Sequence, residues 1–142
     1  MDIDDIKAAQ NRIAPYVKRT PLEHSETLSR RIGASVYVKY EMFQKTGSFK
    51  ARGAFNKLLS TPQAERSGGV VAVSGGNHAQ AVANAAKILG LDAVILMPKA
   101  TPQIYVDATR DYGAKVELEP TIANAFEKIK TYQAEGRVFL HP

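Results

Sequence analysis

The pattern that most limits what this chain can fold into lies between residues 70 and 140, where short apolar runs alternate with segments of helical periodicity. Val70-Val71-Ala72-Val73 has no polar position, as a parallel strand covered on both faces requires, and it stops at Ser74-Gly75-Gly76. Ala79, Val82, Ala83 and Ala86 then recur at helical spacing over residues 78–89, with Gly90 as the stop. Residues 93–97 repeat the buried-strand pattern and are closed by Pro98; Thr101-Pro102 is expected to cap the next helix, which ends at Gly113. Residues 115–119 alternate as a strand, Thr121 caps a helix carrying Ile122, Ala125, Phe126 and Ile129, and Gly136 precedes a last strand at 137–140. This order predicts an α/β fold: a four-stranded, mostly parallel sheet with helices on both faces and right-handed crossovers. Any ligand then belongs beyond the carboxyl ends of the strands.

The first 60 residues are less regular. They predict a helix near 4–14, a short one at 25–31 ending at Gly33, a strand at 36–39, and a helix opened by Gln44-Lys45-Thr46-Gly47-Ser48-Phe49-Lys50 and running to about residue 59. The chain changes character near residue 60: residues 1–60 hold 11 Lys/Arg against 6 Asp/Glu, residues 61–142 hold 8 against 8, so the whole net charge of +5 sits in the first part. Acids and apolar residues interrupt that basic part throughout, which argues against a nucleic-acid partner. No apolar run is long enough to cross a membrane, and the first residues lack the basic flank and apolar stretch of a signal peptide, so a cytoplasmic protein without membrane contact is expected. With no cysteine and three scattered histidines (His24, His78, His141), thiol chemistry and a metal site are not expected.

Two motifs could carry chemistry. Ser48 is placed to cap the helix bearing Lys50, with Ala51, Ala54, Phe55, Leu58 and Leu59 as its apolar stripe. Lys50 then sits in the first turn, the unfavourable end for a cation; a positive surround and partial burial favour the neutral amine that attacks a carbonyl. Local physics alone still favours an ordinary solvated lysine, at a cost of about a few tenths of a kcal/mol. The second motif, Ser74-Gly75-Gly76-Asn77-His78-Ala79-Gln80, joins strand to helix at the expected ligand edge, and its hydroxyl, amide and N-terminal N–H groups could hold a carboxylate or phosphate. A glycine turn needed only for tight packing is the alternative. The spacing fits neither a dinucleotide fingerprint nor a P-loop.

Taken together, Gln44–Ala54 and Ser74–Gln80 resemble the cofactor-lysine segment and the Ser-x-Gly-Asn-His loop of the fold type II pyridoxal-phosphate enzymes of the threonine/serine dehydratase and serine racemase family. Thr20-Pro21-Leu22, Met97-Pro98, Thr101-Pro102, Ala108-Thr109-Arg110 and Tyr112-Gly113-Ala114 fit in order, so the resemblance covers essentially the whole chain. It implies that Lys50 forms the Schiff base with pyridoxal 5′-phosphate and moves protons, and that Phe49 packs beside the pyridine ring. It implies further that Asn77 bonds the cofactor's 3′ oxygen, and that Ser74, Gly76, Asn77 and His78 surround the substrate carboxylate. Racemases of the group usually carry a serine at the position of Gly75, which cannot move a proton.

The resemblance implies β-elimination from L-threonine or L-serine to a 2-oxo acid and ammonia. It also implies that residues 1–60 are part of an incomplete large domain and residues 61–142 a small α/β domain, since the family continues past Pro142 into a domain with the glycine-rich phosphate loop. Weak or no catalysis by this length of chain, and self-association through exposed apolar surface, are expected on that basis. A non-catalytic fragment that binds small anions at residues 74–78 is the alternative.

Overall fold

The computed structural model describes residues 2–142. In chain order the elements are α1 (Ile3–Ile13), β1 (Leu22–His24), α2 (Glu26–Ile32), β2 (Tyr37–Lys39), α3 (Lys50–Ser60), α4 (Gln63–Arg66), β3 (Val70–Val73), α5 (Asn77–Ile88), β4 (Ala93–Pro98), α6 (Gln103–Asp111), β5 (Lys115–Glu119), α7 (Ile122–Ala134) and β6 (Val138–Leu140). The last four strands form one sheet in the order β5-β4-β3-β6, every pair parallel, with Val70 opposite both Ala93 and Val138.

Both faces of this sheet are covered, which is why β3 has no exposed position. Val70, Ala72, Ile95 and Met97 point to one side, where they meet α5, Val106 of α6 and the Ala54, Phe55 and Leu58 face of α3 in a single apolar cluster. Val71, Val73, Val94 and Leu96 point to the other side, where Ala125 and Ile129 of α7 cover them. Period-two alternation thus feeds two cores from the same strands. Removing side chains the size of Phe55, Leu58, Ile95 and Leu96 from water contributes roughly 1.5–3 kcal/mol each. The first core takes residues from both sides of position 60, because α3 lies on α5 and Ile13 of α1 joins the cluster.

Local signals set most boundaries. Asp2 caps α1 by accepting from the Asp4 and Asp5 N–H groups while Asp5 accepts from the Asp2 N–H at 2.9 Å. Gly33 closes α2 at φ +75°, the left-handed conformation that favours glycine. Thr121 caps α7 by accepting from the Asn124 N–H. β1 lies outside the sequence expectation: its three residues are exposed and unpatterned, and they are a strand because Leu22, Glu23 and His24 pair antiparallel with Lys39, Val38 and Tyr37.

Two expected caps are corrected. Ser48 does not cap the lysine helix: its backbone is extended directly before helical Phe49 (φ −62°, ψ −17°), where a cap would stand, but its hydroxyl is buried and bonds none of the first-turn N–H groups. Residues Lys45–Gly47 before it form a tight turn with Thr46 at φ 61°. Thr101 does not cap α6 either: Pro102 occupies the cap position, and the Thr101 side chain lies against Gly75 instead.

A charge cluster ties β5 to α7. Lys115 approaches Glu117 at 2.6 Å, and Lys128 reaches Glu117 at 2.9 Å and Glu119 at 2.6 Å. Burial pushes the Glu117 carboxyl up, but Lys115, Lys128 and Tyr132 together outweigh it and hold the group at about 2, below its ordinary 4.5. A carboxyl depressed in this way adds stability above pH 4.5 that is lost as the pH falls towards 2. Glu117→Gln is expected to cost about 1–2 kcal/mol in urea unfolding at pH 7, the exposed lysines being partly screened, and the gap from the parent chain should close between pH 4.5 and 2. A gap of the same size at both ends of that range would show that the charge is not the cause.

Candidate active site

Lys50 is the first residue of α3 and half-buried. Its Nζ stands 5.5 Å from the centre of the Phe49 ring, which is itself largely exposed. The chain reaches this point under tension: Thr46, a β-branched residue, holds a left-handed backbone, and the Thr46 and Ser48 hydroxyls are both buried without a hydrogen-bond partner. A side-chain clamp holds the segment in place. The Gln44 amide accepts from the Lys18 N–H and donates to the Lys18 carbonyl, at 2.9 and 2.8 Å. Arg52 grips Glu41 with two bonds of 2.8 Å, and Thr20 donates to the same carboxylate. The Arg52 guanidinium holds Glu41 below its usual range, against a smaller opposing effect of burial.

His78, from α5, lies across a cleft of about 200 Å³ from Lys50; Phe49, Gly53, Ala54 and Lys57 of the lysine segment and Leu140, His141 and Pro142 line the rest. The imidazole is buried, with Nε2 3.1 Å from the Leu140 carbonyl. Burial lowers its pKa below 6.5, the Leu140 bond opposes that, and the charges of Lys50 and His141 lower it further. Near neutral pH the ring is therefore uncharged, donates from Nε2 to Leu140, and keeps Nδ1 as an acceptor.

The Ser74–Asn77 turn leaves the carboxyl end of β3 and enters α5 without lining that cleft. The Ser74 N–H donates to Leu96 of β4, and the Ser74 Oγ accepts from the Gly76 N–H at 3.2 Å. Gly76 is the N-cap of α5 and supplies no side-chain cap, so first-turn N–H groups face outward with exposed Asn77 beside them. A Cβ on Gly76 would meet nothing within 4 Å: its glycine keeps open space at a helix N-terminus. The structure thus joins Phe49, Lys50 and His78 in one cleft and sets Ser74, Gly76 and Asn77 at the turn opening the same helix.

A primary amine beside an aromatic ring, two unpartnered buried hydroxyls and an open glycine at a helix N-terminus fit a flat, anionic carbonyl compound. A larger groove of about 600 Å³ runs along α1 past Ile6, Ile13, Val17 and Lys39, and holds none of these residues. Sequence reasoning missed Thr101, Gln44 and the Glu41–Arg52 pair. Thr-Pro reads as a cap, and the partners of the other three are separated by 11 to 26 residues with no local signal.

The family described as "Pyridoxal-phosphate dependent enzyme" matches residues 13–142. L-threonine ammonia-lyase of Thermotoga maritima is 46% identical over 142 residues, covering 99% of this chain and 35% of that protein. L-threo-3-hydroxyaspartate ammonia-lyase of a Pseudomonas species is 48% identical over 132 residues, covering 93% of this chain and 41% of that protein. The structure of maize serine racemase superposes with a TM-score of 0.90 at 41% identity, over 99% of this chain and 44% of that one. The chain spans less than half the length of these relatives. Its matched segment includes both the lysine helix and the glycine turn, and the chain belongs to the pyridoxal-phosphate dependent enzyme family.

Proposed function

We propose that this chain supplies the lysine and the carboxylate-binding turn of an ammonia-lyase that converts L-threonine or L-serine to a 2-oxo acid and ammonia. The observation that carries the reading is the convergence of Lys50 and His78, from different helices, on one cleft beside the carboxyl edge of the sheet. The names of the ammonia-lyase relatives support the reaction class. Bound pyridoxal phosphate supplies the electron sink at the substrate's α-carbon.

The chain's own residues then do the following. Lys50 holds the cofactor through its amine and, once released, takes the α-proton at Nζ and returns it where needed. Phe49 shields one side of the ring, and Asn77 donates to the cofactor's oxygen. The Ser74 hydroxyl and the N–H groups of Asn77 and His78 orient the substrate carboxylate at the α5 N-terminus, where Gly76 leaves the approach open and the helix dipole favours negative charge. Because it is uncharged, His78 adds no further cation to the Lys50 and Lys57 amines that line the cleft.

Borohydride treatment of the chain mixed with pyridoxal phosphate is expected to fix the label on Lys50 by peptide mass analysis, and Lys50→Ala should abolish that site. Label spread evenly over surface lysines would overturn the assignment. In the protein that carries this chain, L-threonine is expected to yield 2-oxobutanoate, and Lys50→Ala should lower kcat by at least about 10³-fold. Retention of the parent rate would overturn the role of Lys50. Anion binding at residues 74–78 without Lys50 labelling would favour the non-catalytic reading.

A further inference from the structure

The two glycines of the Ser74–Asn77 turn are glycines for different reasons. Neither has the left-handed backbone that calls for glycine. Gly76 has open space where a side chain would stand, whereas a Cβ on Gly75 would lie 2.6 Å from Thr101 Oγ1 and 3.3 Å from Thr101 Cγ2. The first distance is shorter than real contacts allow. Thr101 follows β4 and Gly75 follows β3, so the pair spans the carboxyl ends of two adjacent parallel strands, the edge at which a ligand would approach.

Rotation relieves the clash only in part. Two of the three staggered positions on the Thr101 Cβ carry heavy atoms, and both now face Gly75; the one rotamer that turns hydrogen to the nearest position still leaves a heavy atom at about 3.3 Å, tighter than an ordinary contact. Shortening Thr101 to alanine does relieve it, since only Cβ then remains, at 3.5 Å, an ordinary contact distance.

We propose that Thr101 is a specificity-determining residue: its side chain fills the volume beside Gly75, so position 75 of the turn offers backbone alone and no acid–base side chain there can reach the ligand. Its functional meaning rests on the reading of residues 74–78 as the carboxylate turn. The interlock itself does not, and it is tested separately. With Thr101 in place the turn itself presents to a small amino acid only Ser74, backbone N–H groups and Asn77; without it, a further side chain of the turn can be admitted.

A double-substitution cycle on the chain, read by thermal unfolding, tests the interlock. Gly75→Ala is expected to lower Tm by about 5 °C. In the Thr101→Ala background the same change should cost nothing, while in the Thr101→Val background, which keeps the bulk and loses the hydroxyl, it should cost as much as in the parent. If Gly75→Ala leaves the chain unfolded, refolding of the Gly75→Ala/Thr101→Ala pair is the expected result. Additive effects, or a tolerated Gly75→Ala in the parent, would overturn the interlock. Because the chain has no cysteine, Gly75→Cys in the Thr101→Ala background supplies a single thiol. That thiol should react readily with an aromatic disulfide reagent; an unreactive thiol in a folded protein would overturn the claim that residue 75 then faces the ligand edge. Lys50 labelling is indifferent to all these outcomes, so failure of the interlock and failure of the proposed function are distinguishable.

Discussion

Everything in this structure depends on how closely α5 packs. It is sandwiched between the sheet and α3, and its residues from His78 to Ala86 are buried except Gln80. Its buried Ala79, Ala81, Ala83, Ala85 and Ala86 let it have neighbours on both sides, because each added methylene would push one of them away. That approach delivers the N-terminus of α5 to the carboxyl edge of β3. It also brings the first turn of α3, with Lys50, to the same end. A bulky substitution at Ala81 or Ala85 would separate the two motifs without touching either.

The second constraint is polar. The segment before Lys50 does not lie in a low-energy conformation: Thr46 is left-handed, and the Ser48 and Thr46 hydroxyls have lost water without gaining a partner. Gln44, bound on both edges to the Lys18 backbone, and the paired Arg52–Glu41–Thr20 group offset this and anchor the entry to α3 from both sides. Strain of this kind holds the start of α3, and with it Lys50, in one place, as a relaxed turn would not. The Arg52–Glu41 pair is two-pronged and half-buried, a geometry in which an ion pair adds direction as well as energy.

Much of the fold was legible in the chain because its signals are local. Val70–Val73 and residues 93–97 read as buried on both faces, and they are. Ser25, Gly33, Thr121 and Gly113 end or begin helices where their side chains or backbone preferences require it. The failures share one cause. Ser48 and Thr101 have the chemistry of caps, but capping needs the side chain turned to the first-turn N–H groups: the Ser48 hydroxyl is buried without a partner and the Thr101 side chain lies against Gly75. β1 was invisible because its three residues owe their conformation to β2 alone.

The site divides in the same way. The amino-acid order by itself determined that a lysine would open one helix and a glycine turn another, and that the second would lie at the ligand edge of a parallel sheet, because periodicity and strand order act through neighbours in sequence. Local chemistry could not tell Lys50 from a solvated surface lysine; only the likeness of both motifs to a known family did so. Which groups meet was decided by tertiary structure alone. His78 faces the Lys50 cleft because α3 lies on α5, and Gly75 has no room for a side chain because Thr101 arrives from the next strand. Both are contacts between residues far apart in the chain, and packing, not propensity, sets them.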